Sequence, residues 1–212
     1  MPKIARSSDE IELVRDSIVQ GAIELIVEEG LENFSMNRLG ARMNMTGANL
    51  YNYFDGREAL ILAIHKKSFR ALHDEMAEAV SSESAALARL KALVKAFVTF
   101  GTRNANIYEL LFNAPRQKFK DYLGTPLEEM ARDEYASSLN ALFLAARIVG
   151  EFLETRVESG GERAHFLTIK LLSEVHGIIS LYNSGVLFDI TEEPEVTLDA
   201  VADAAVESLA IA

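Results

Sequence analysis

Three features of this sequence predict an all-α fold. Apolar residues recur three and four positions apart in long stretches from Ile11 to Leu209, which is the spacing of one helical face. There are only four prolines, so few helices would be interrupted. The apolar/polar alternation of a β-strand is not sustained anywhere along the chain. Together these predict about nine helices, arranged as a three-helix N-terminal head and a larger helical body.

A chain of 212 residues is long enough to bury a sizeable core, as one large or two small domains. The absence of cysteine removes disulfides and thiolate metal ligands, as expected for a protein of the reducing cytoplasm. The start, MPKIARSSDEIELV, has no apolar core of signal-peptide length. No apolar run approaches the about 18 residues of a membrane span, so none is expected.

The first helix is expected from about Asp9 to Glu29. Ile11, Val14, Ile18, Ala22 and Leu25 form its apolar face, and Gly30 stops it. Its acids Glu24, Glu28 and Glu29 have no His or polar partner nearby in sequence and are expected to be a solvated face. Ser35 caps a second helix running to about Met43, with Leu39 and Met43 on its inner side. Asn44 follows where a left-handed turn is needed, and asparagine tolerates that conformation best after glycine. Thr46 caps a third helix whose Leu50 and Phe54 pack inward. This leaves Gly47, Ala48, Asn49, Tyr51, Asn52 and Tyr53 facing outward. Small residues, amides and phenols of this kind suit close approach to a major groove and its phosphates.

The stretch Leu50 to Leu60, LYNYFDGREAL, resembles the signature of the TetR family of transcription regulators, and EEGLENFSMNRLGARMNMT upstream of it matches as well. Arg57 stands where that family usually has lysine, and Asn44 where it usually has glycine. The resemblance implies a helix-turn-helix DNA-binding domain at 9–57 (motif 35–54), a linking helix at 58–80 and a ligand-binding and dimerisation domain at 81–212. The DNA-binding residues it implies are Ser35, Asn37, Arg38, Thr46, Gly47, Ala48, Asn49, Tyr51, Asn52, Tyr53 and Arg57. Tyr51 and Arg57 are expected on phosphates, and Ala48, Asn49 and Asn52 near bases.

The net charge of −11 argues against generic polyanion binding. Residues 33–57 are locally basic, with Arg38, Arg42 and Arg57 against Asp55 alone. Lys3 and Arg6 add a basic arm, and Lys66, Lys67 and Arg70 a basic turn. A small basic face on an acidic body should bind DNA only where many contacts are good.

The linking helix is expected over about Arg57 to Val80, and Ser81 to Ser84 are expected to break it and cap the next. In the body, Leu87, Leu90, Val94, Phe97 and Gly101 share a face. Asn104 or Asn106 is expected to open a short helix that ends at Pro115. Thr125, Pro126 and Glu128 form a capping-box pattern for a helix reaching about Glu158. That helix is apolar nearly all round and is therefore expected to be central. Gly160-Gly161 precedes a helix of about 162–185. The last, about 194–210, has Leu198, Val201, Ala202, Ala205 and Leu209 on one face. By analogy with the family, these last two helices form the homodimer, over about 162–210.

An apolar effector site is expected from Phe97, Phe100, Tyr108, Leu111, Phe112, Tyr135, Phe143, Arg147 and His176. Arg147 and Glu151, four apart, either pair with each other or face that site. The four histidines show no metal-ligand spacing, and no cofactor or metal is expected. The function implied is a repressor, not an enzyme. It would bind a palindromic double-stranded operator and be released by a hydrophobic small molecule. The alternative is a helical interaction module whose head does not bind DNA.

Overall fold

The computed structural model describes residues 7–154 and 161–209. They form ten α-helices joined by short turns, with no strand among the described residues. The helices are α1 (Ser8–Glu29), α2 (Met36–Arg42), α3 (Gly47–Leu50), α4 (Gly56–Ser81), α5 (Ala86–Arg103), α6 (Ala105–Tyr108), α7 (Glu128–Glu154), α8 (Gly161–Asn183), α9 (Val186–Ile190) and α10 (Pro194–Ser208). A π turn covers Glu109–Asn113 and a 3-10 turn Phe119–Tyr122. The count exceeds the expected nine because α9, five residues between Gly185 and Thr191, is too short to show a periodicity. The basic arm at Lys3 and Arg6, the reach to Glu158 and Gly160 lie outside the described residues.

The chain packs as two units, residues 7–69 with 109–137, and residues 70–108 with 138–209. In the first, α1 opens with a capping box. Ser7 Oγ accepts from the Glu10 amide at 3.2 Å, and Glu10 Oε2 accepts from the Ser7 amide at 2.8 Å. It ends at Gly30, whose φ of +82° suits glycine. Ile18, Ala22, Leu25 and Ile26 of α1 are buried, with Phe34, Met36 and Leu39 at α2 and Leu50 and Phe54 beyond the turn. Burying each such side chain contributes about 1.5–3 kcal/mol. Tyr122, in the 3-10 turn, packs with Leu62 and Ala131 and donates to Glu58 Oε1 at 3.0 Å. Burial, then the Glu58 carboxylate, pushes its phenol up to about 12.

The second unit is built on α5, α8 and α10. Leu90, Val94 and Phe97 of α5, Leu171, Val175 and Ile179 of α8, Leu198, Ala202 and Ala205 of α10, and Leu209 just past its end are buried. Leu87, expected on the same face of α5, is exposed at the helix start. That start is capped by no side chain, because Ala85 and not a serine is the N-cap. Gly101 lets α5 and α8 come close: a Cβ there would lie 2.9 Å from Tyr108 Cδ2 and 3.0 Å from Ile179 Cγ2.

One expectation for α7 changes. The helix begins at Glu128, after a turn at Thr125. Glu128 Oε2 accepts from the Gly124 amide at 2.8 Å, so the expected box closes one residue upstream of Thr125. An 18-residue stretch of the helix, with mean hydropathy 1.3, is long and apolar enough by length and composition alone to cross a bilayer. Ala141, Leu144, Ile148, Val149, Phe152 and Leu153 are buried in the second unit, the packing of a core helix.

Candidate nucleic-acid interface and effector site

The turn between α2 and α3 is built by local chemistry. Ser35 Oγ accepts from the Arg38 amide and Thr46 Oγ1 from the Asn49 amide, each at 3.2 Å, so both expected N-caps form. Asn44 takes φ +52° and is the sole non-glycine residue with positive φ among the described residues. The Met45 amide returns to Gly40 O at 2.8 Å. Gly40 has to be glycine, since a Cβ would sit 2.8 Å from Met45 O and 3.0 Å from Gly47 N, both backbone atoms. Nothing in the residue spacing signals this close approach.

The reading helix is shorter than expected. Only Gly47–Leu50 is α-helical, after which Asn52 and Tyr53 bond back three residues to Asn49 and Leu50. Glycine and asparagine are weak helix formers, and the segment tightens into successive turns. Ala48, Tyr51 (56% exposed) and Asn52 face solvent, and Gly47, Asn49 and Tyr53 are half-buried. Asn52 Nδ2 donates to Asn49 Oδ1 at 3.1 Å, so these two amides are held as a pair. The Asn37 amide lies against Gly47. Arg15, which sequence reasoning passed over, donates to Tyr53 O at 2.9 Å and lies 4.7 Å over the Phe54 ring. It clamps the end of the reading segment onto α1.

The acids of α1 are not simply solvated. Arg38 pairs with Glu29, and Arg42 bonds Glu28 at 2.6 and 2.8 Å and lies 3.5 Å from Glu24. The Arg42 hydrogen bond holds the Glu28 carboxyl below the usual range, and Glu28 raises the arginine in turn. Two of the three arginines counted as the basic face are thus matched by carboxylates. Arg57 is exposed, with its guanidinium 5.5 Å from the Phe34 ring. Replacing Arg57 with alanine should weaken binding to all DNA sequences alike and lower the salt slope by about one unit. Fluorescence anisotropy at several salt concentrations measures both, and an unchanged slope removes Arg57 from the phosphate contacts.

The expected effector residues separate. In the second unit, Phe97 meets Tyr108 edge-on at 5.9 Å and Tyr108 stacks on His176 at 5.6 Å. The Tyr108 hydroxyl and His176 Nδ1 are 2.6 Å apart. Burial raises the phenol above its ordinary value. Phe100 is buried in the same unit. Leu111 and Phe112 lie in the π turn of the first unit, with Phe112 edge-on to Phe69 at 5.9 Å. Tyr135 stacks on Phe119 there at 5.2 Å. Phe143 is 60% exposed. Arg147 bonds Glu151 at 2.7 Å on an exposed edge, where Glu151 also takes Arg89 Nε at 3.0 Å.

Residues 18–64 match the family model of bacterial regulatory proteins of the tetR family, and residues 90–205 match that of the tetracyclin repressor-like C-terminal domain. The chain belongs to the TetR family. That family is one of bacterial regulatory proteins. A relative, the uncharacterized HTH-type transcriptional regulator YobS of Bacillus subtilis (strain 168), is 31% identical over 102 residues, 48% of this chain and 53% of that protein. The chain therefore spans about half the length of that curated relative. A protein of unknown function from Rhodococcus sp. RHA1 has the same fold, with a TM-score of 0.72 at 22% identity over 99% of this chain and 96% of that one. The transcriptional regulator FadR from Bacillus subtilis, solved with stearoyl-CoA, matches with a TM-score of 0.65 at 14% identity over 92% and 96% of the two chains. TetR-family regulators bind DNA and small-molecule effectors, generally as dimers.

Proposed function

We propose that this TetR-family regulator is a homodimeric repressor that binds a palindromic operator and leaves it on binding an apolar or aromatic small molecule. Residues 9–57 are the DNA-binding part, 58–80 the link, and 81–212 the part that receives the effector and the second copy. The observation that carries the reading is the built α2–α3 turn, with its left-handed Asn44, its glycine contact at Gly40 and its solvent-facing Ala48, Tyr51 and Asn52. Such a helix-turn-helix enters a major groove with the start of its second helix.

A second copy is supported by α8. Phe166, Ile169 and Leu181 are exposed apolar residues on one side, which Ser173 and Gly177 share, and a Cβ at Gly177 would meet nothing within 4 Å among the described residues. A small-residue seam flanked by large apolar side chains suits close packing of two such helices about a twofold axis. For the effector, the Phe97–Tyr108–His176 cluster offers aromatic surface with a polar pair inside it. FadR, of like fold, is a regulator solved with an acyl-CoA.

The effector acts by population shift. It can weaken operator binding only by its preference for the conformer that misplaces the two heads. Coupling of about 1–3 kcal/mol is typical, and it is reciprocal. Titrating the protein with a panel of hydrophobic compounds, with and without operator DNA, tests this. If compounds bind and none is weakened by DNA, the protein is not a ligand-released repressor. Ile169→Arg should leave a folded monomer by sedimentation, with affinity for a palindrome reduced about 100-fold or more as the second half-site contact is lost. A variant that remains dimeric moves the interface away from α8.

A further inference from the structure

Within the first unit, α4 carries a histidine that the DNA-binding reading leaves unused. His65 is 2% exposed. Its Nδ1 lies 3.5 Å from Oε1 of Glu134 on α7, a buried carboxylate that also accepts from Arg116 Nη1 at 2.8 Å. Its Nε2 is buried and meets no hydrogen-bonding atom among the described residues. A buried polar atom without a partner is costly, and each such atom in a folded protein calls for an explanation. One phenyl ring stands beside the imidazole, and a second stands behind the first. Phe69 is edge-on at 6.4 Å, and Phe112 is edge-on to Phe69 at 5.9 Å. Phe112 belongs to the π turn, a helix irregularity found disproportionately at functional sites.

The chemistry of the pair selects a ligand group. Glu134 Oε1, 3.5 Å from Nδ1, can accept from an Nδ1–H, and in that tautomer the lone pair lies on Nε2. Nε2 is then a buried acceptor, with the Phe69 ring edge-on to the imidazole. A hydroxyl satisfies it by donating, whereas an ether has no proton to give. A carboxylate would bring acceptor against acceptor and a second negative charge near Glu134.

We infer that His65 Nε2 is the anchor for the hydroxyl of a hydrophobic phenol or alcohol, with Glu134 as the residue that positions the imidazole and Phe69 and Phe112 as the apolar contact. That this molecule is the effector rests on the function proposed above, whereas the site itself does not.

The test uses the full chain and three probes of one shape: 2-naphthol, 2-methoxynaphthalene and 2-naphthoate, titrated by calorimetry. The expected result is binding of 2-naphthol about tenfold or more tighter than of the other two. His65→Phe should erase the difference, and His65→Gln, whose amide oxygen still accepts, should retain part of it; thermal melts check that both variants fold. In the wild-type protein, nitrogen NMR should show His65 protonated on Nδ1, with the Nε2 resonance moving when 2-naphthol is added. Absence of 2-naphthol binding, a preference that survives His65→Phe, tighter binding of 2-naphthoate, or a proton on Nε2 would each overturn the site. If 2-naphthol binds through His65 and operator affinity is untouched, the site stands and the repressor reading fails. If other compounds release the operator without His65, the repressor reading stands and the anchor fails.

Discussion

Replacing Gly40 with alanine is expected to destabilise the DNA-binding head by about 2 kcal/mol and to remove operator binding in proportion. In an open helix the same change stabilises by up to about 1 kcal/mol, because alanine is the better helix former. Here the added methyl meets Met45 O at 2.8 Å and Gly47 N at 3.0 Å. Both are backbone atoms of the turn, and they cannot swing away as a side-chain end would. Relieving the contact means separating α2 from the start of α3 and lengthening the Met45–Gly40 hydrogen bond. Overpacking of this kind typically costs about 1–3 kcal/mol, which exceeds the gain in propensity. Gly150→Ala is the matched control, since a Cβ at that position of α7 meets nothing. Chemical denaturation should show a loss at Gly40 and no loss at Gly150. Equal behaviour of the two would mean that the turn is looser than its geometry.

The second large effect is expected at Ala205. Arginine there should unfold the second unit, at a cost of about 4 kcal/mol or more. By analogy with the family, Ala205 belongs to a seam between two copies, and a charge in that seam would give folded monomers. In the structure Ala205 is 4% exposed within a single chain, on the face of α10 that packs in the α5–α8–α10 core. The slot accommodates a methyl group, so an arginine must displace its neighbours and be stripped of water. Ile169→Arg, at a residue 47% exposed on α8, should instead leave the fold intact. Calorimetric melting with sedimentation separates the two outcomes. A folded Ala205→Arg monomer would restore the sequence-based assignment of that face.

Much of the interface is set by short-range chemistry, which is why it was legible. Ser35 and Thr46 cap because their hydroxyls reach amides three residues on, and Asn44 turns because its backbone tolerates positive φ. These preferences operate within a few residues and need no partner from elsewhere. The ends of α1, α4 and α8 follow for the same reason, from serine and glycine positions and from apolar periodicity.

What the sequence determined by itself is therefore the all-α class, the placement of the long helices and the chemistry of the α2–α3 turn. Only the tertiary structure decided which faces look inward and which charges meet. Glu24, Glu28 and Glu29 on α1 look solvated until α2 brings Arg38 and Arg42 beside them. Tyr108 and His176, 68 positions apart, become one hydrogen-bonded pair. His65 looks like an ordinary core residue until α7 places Glu134 beside one nitrogen, while the other has no hydrogen-bond partner among the described residues. The five residues of α9 and the π turn at Glu109–Asn113 leave no periodic signal. Helix propensity and capping act over one turn, whereas burial and ion pairing depend on distant neighbours, and those neighbours are known only once the helices have packed.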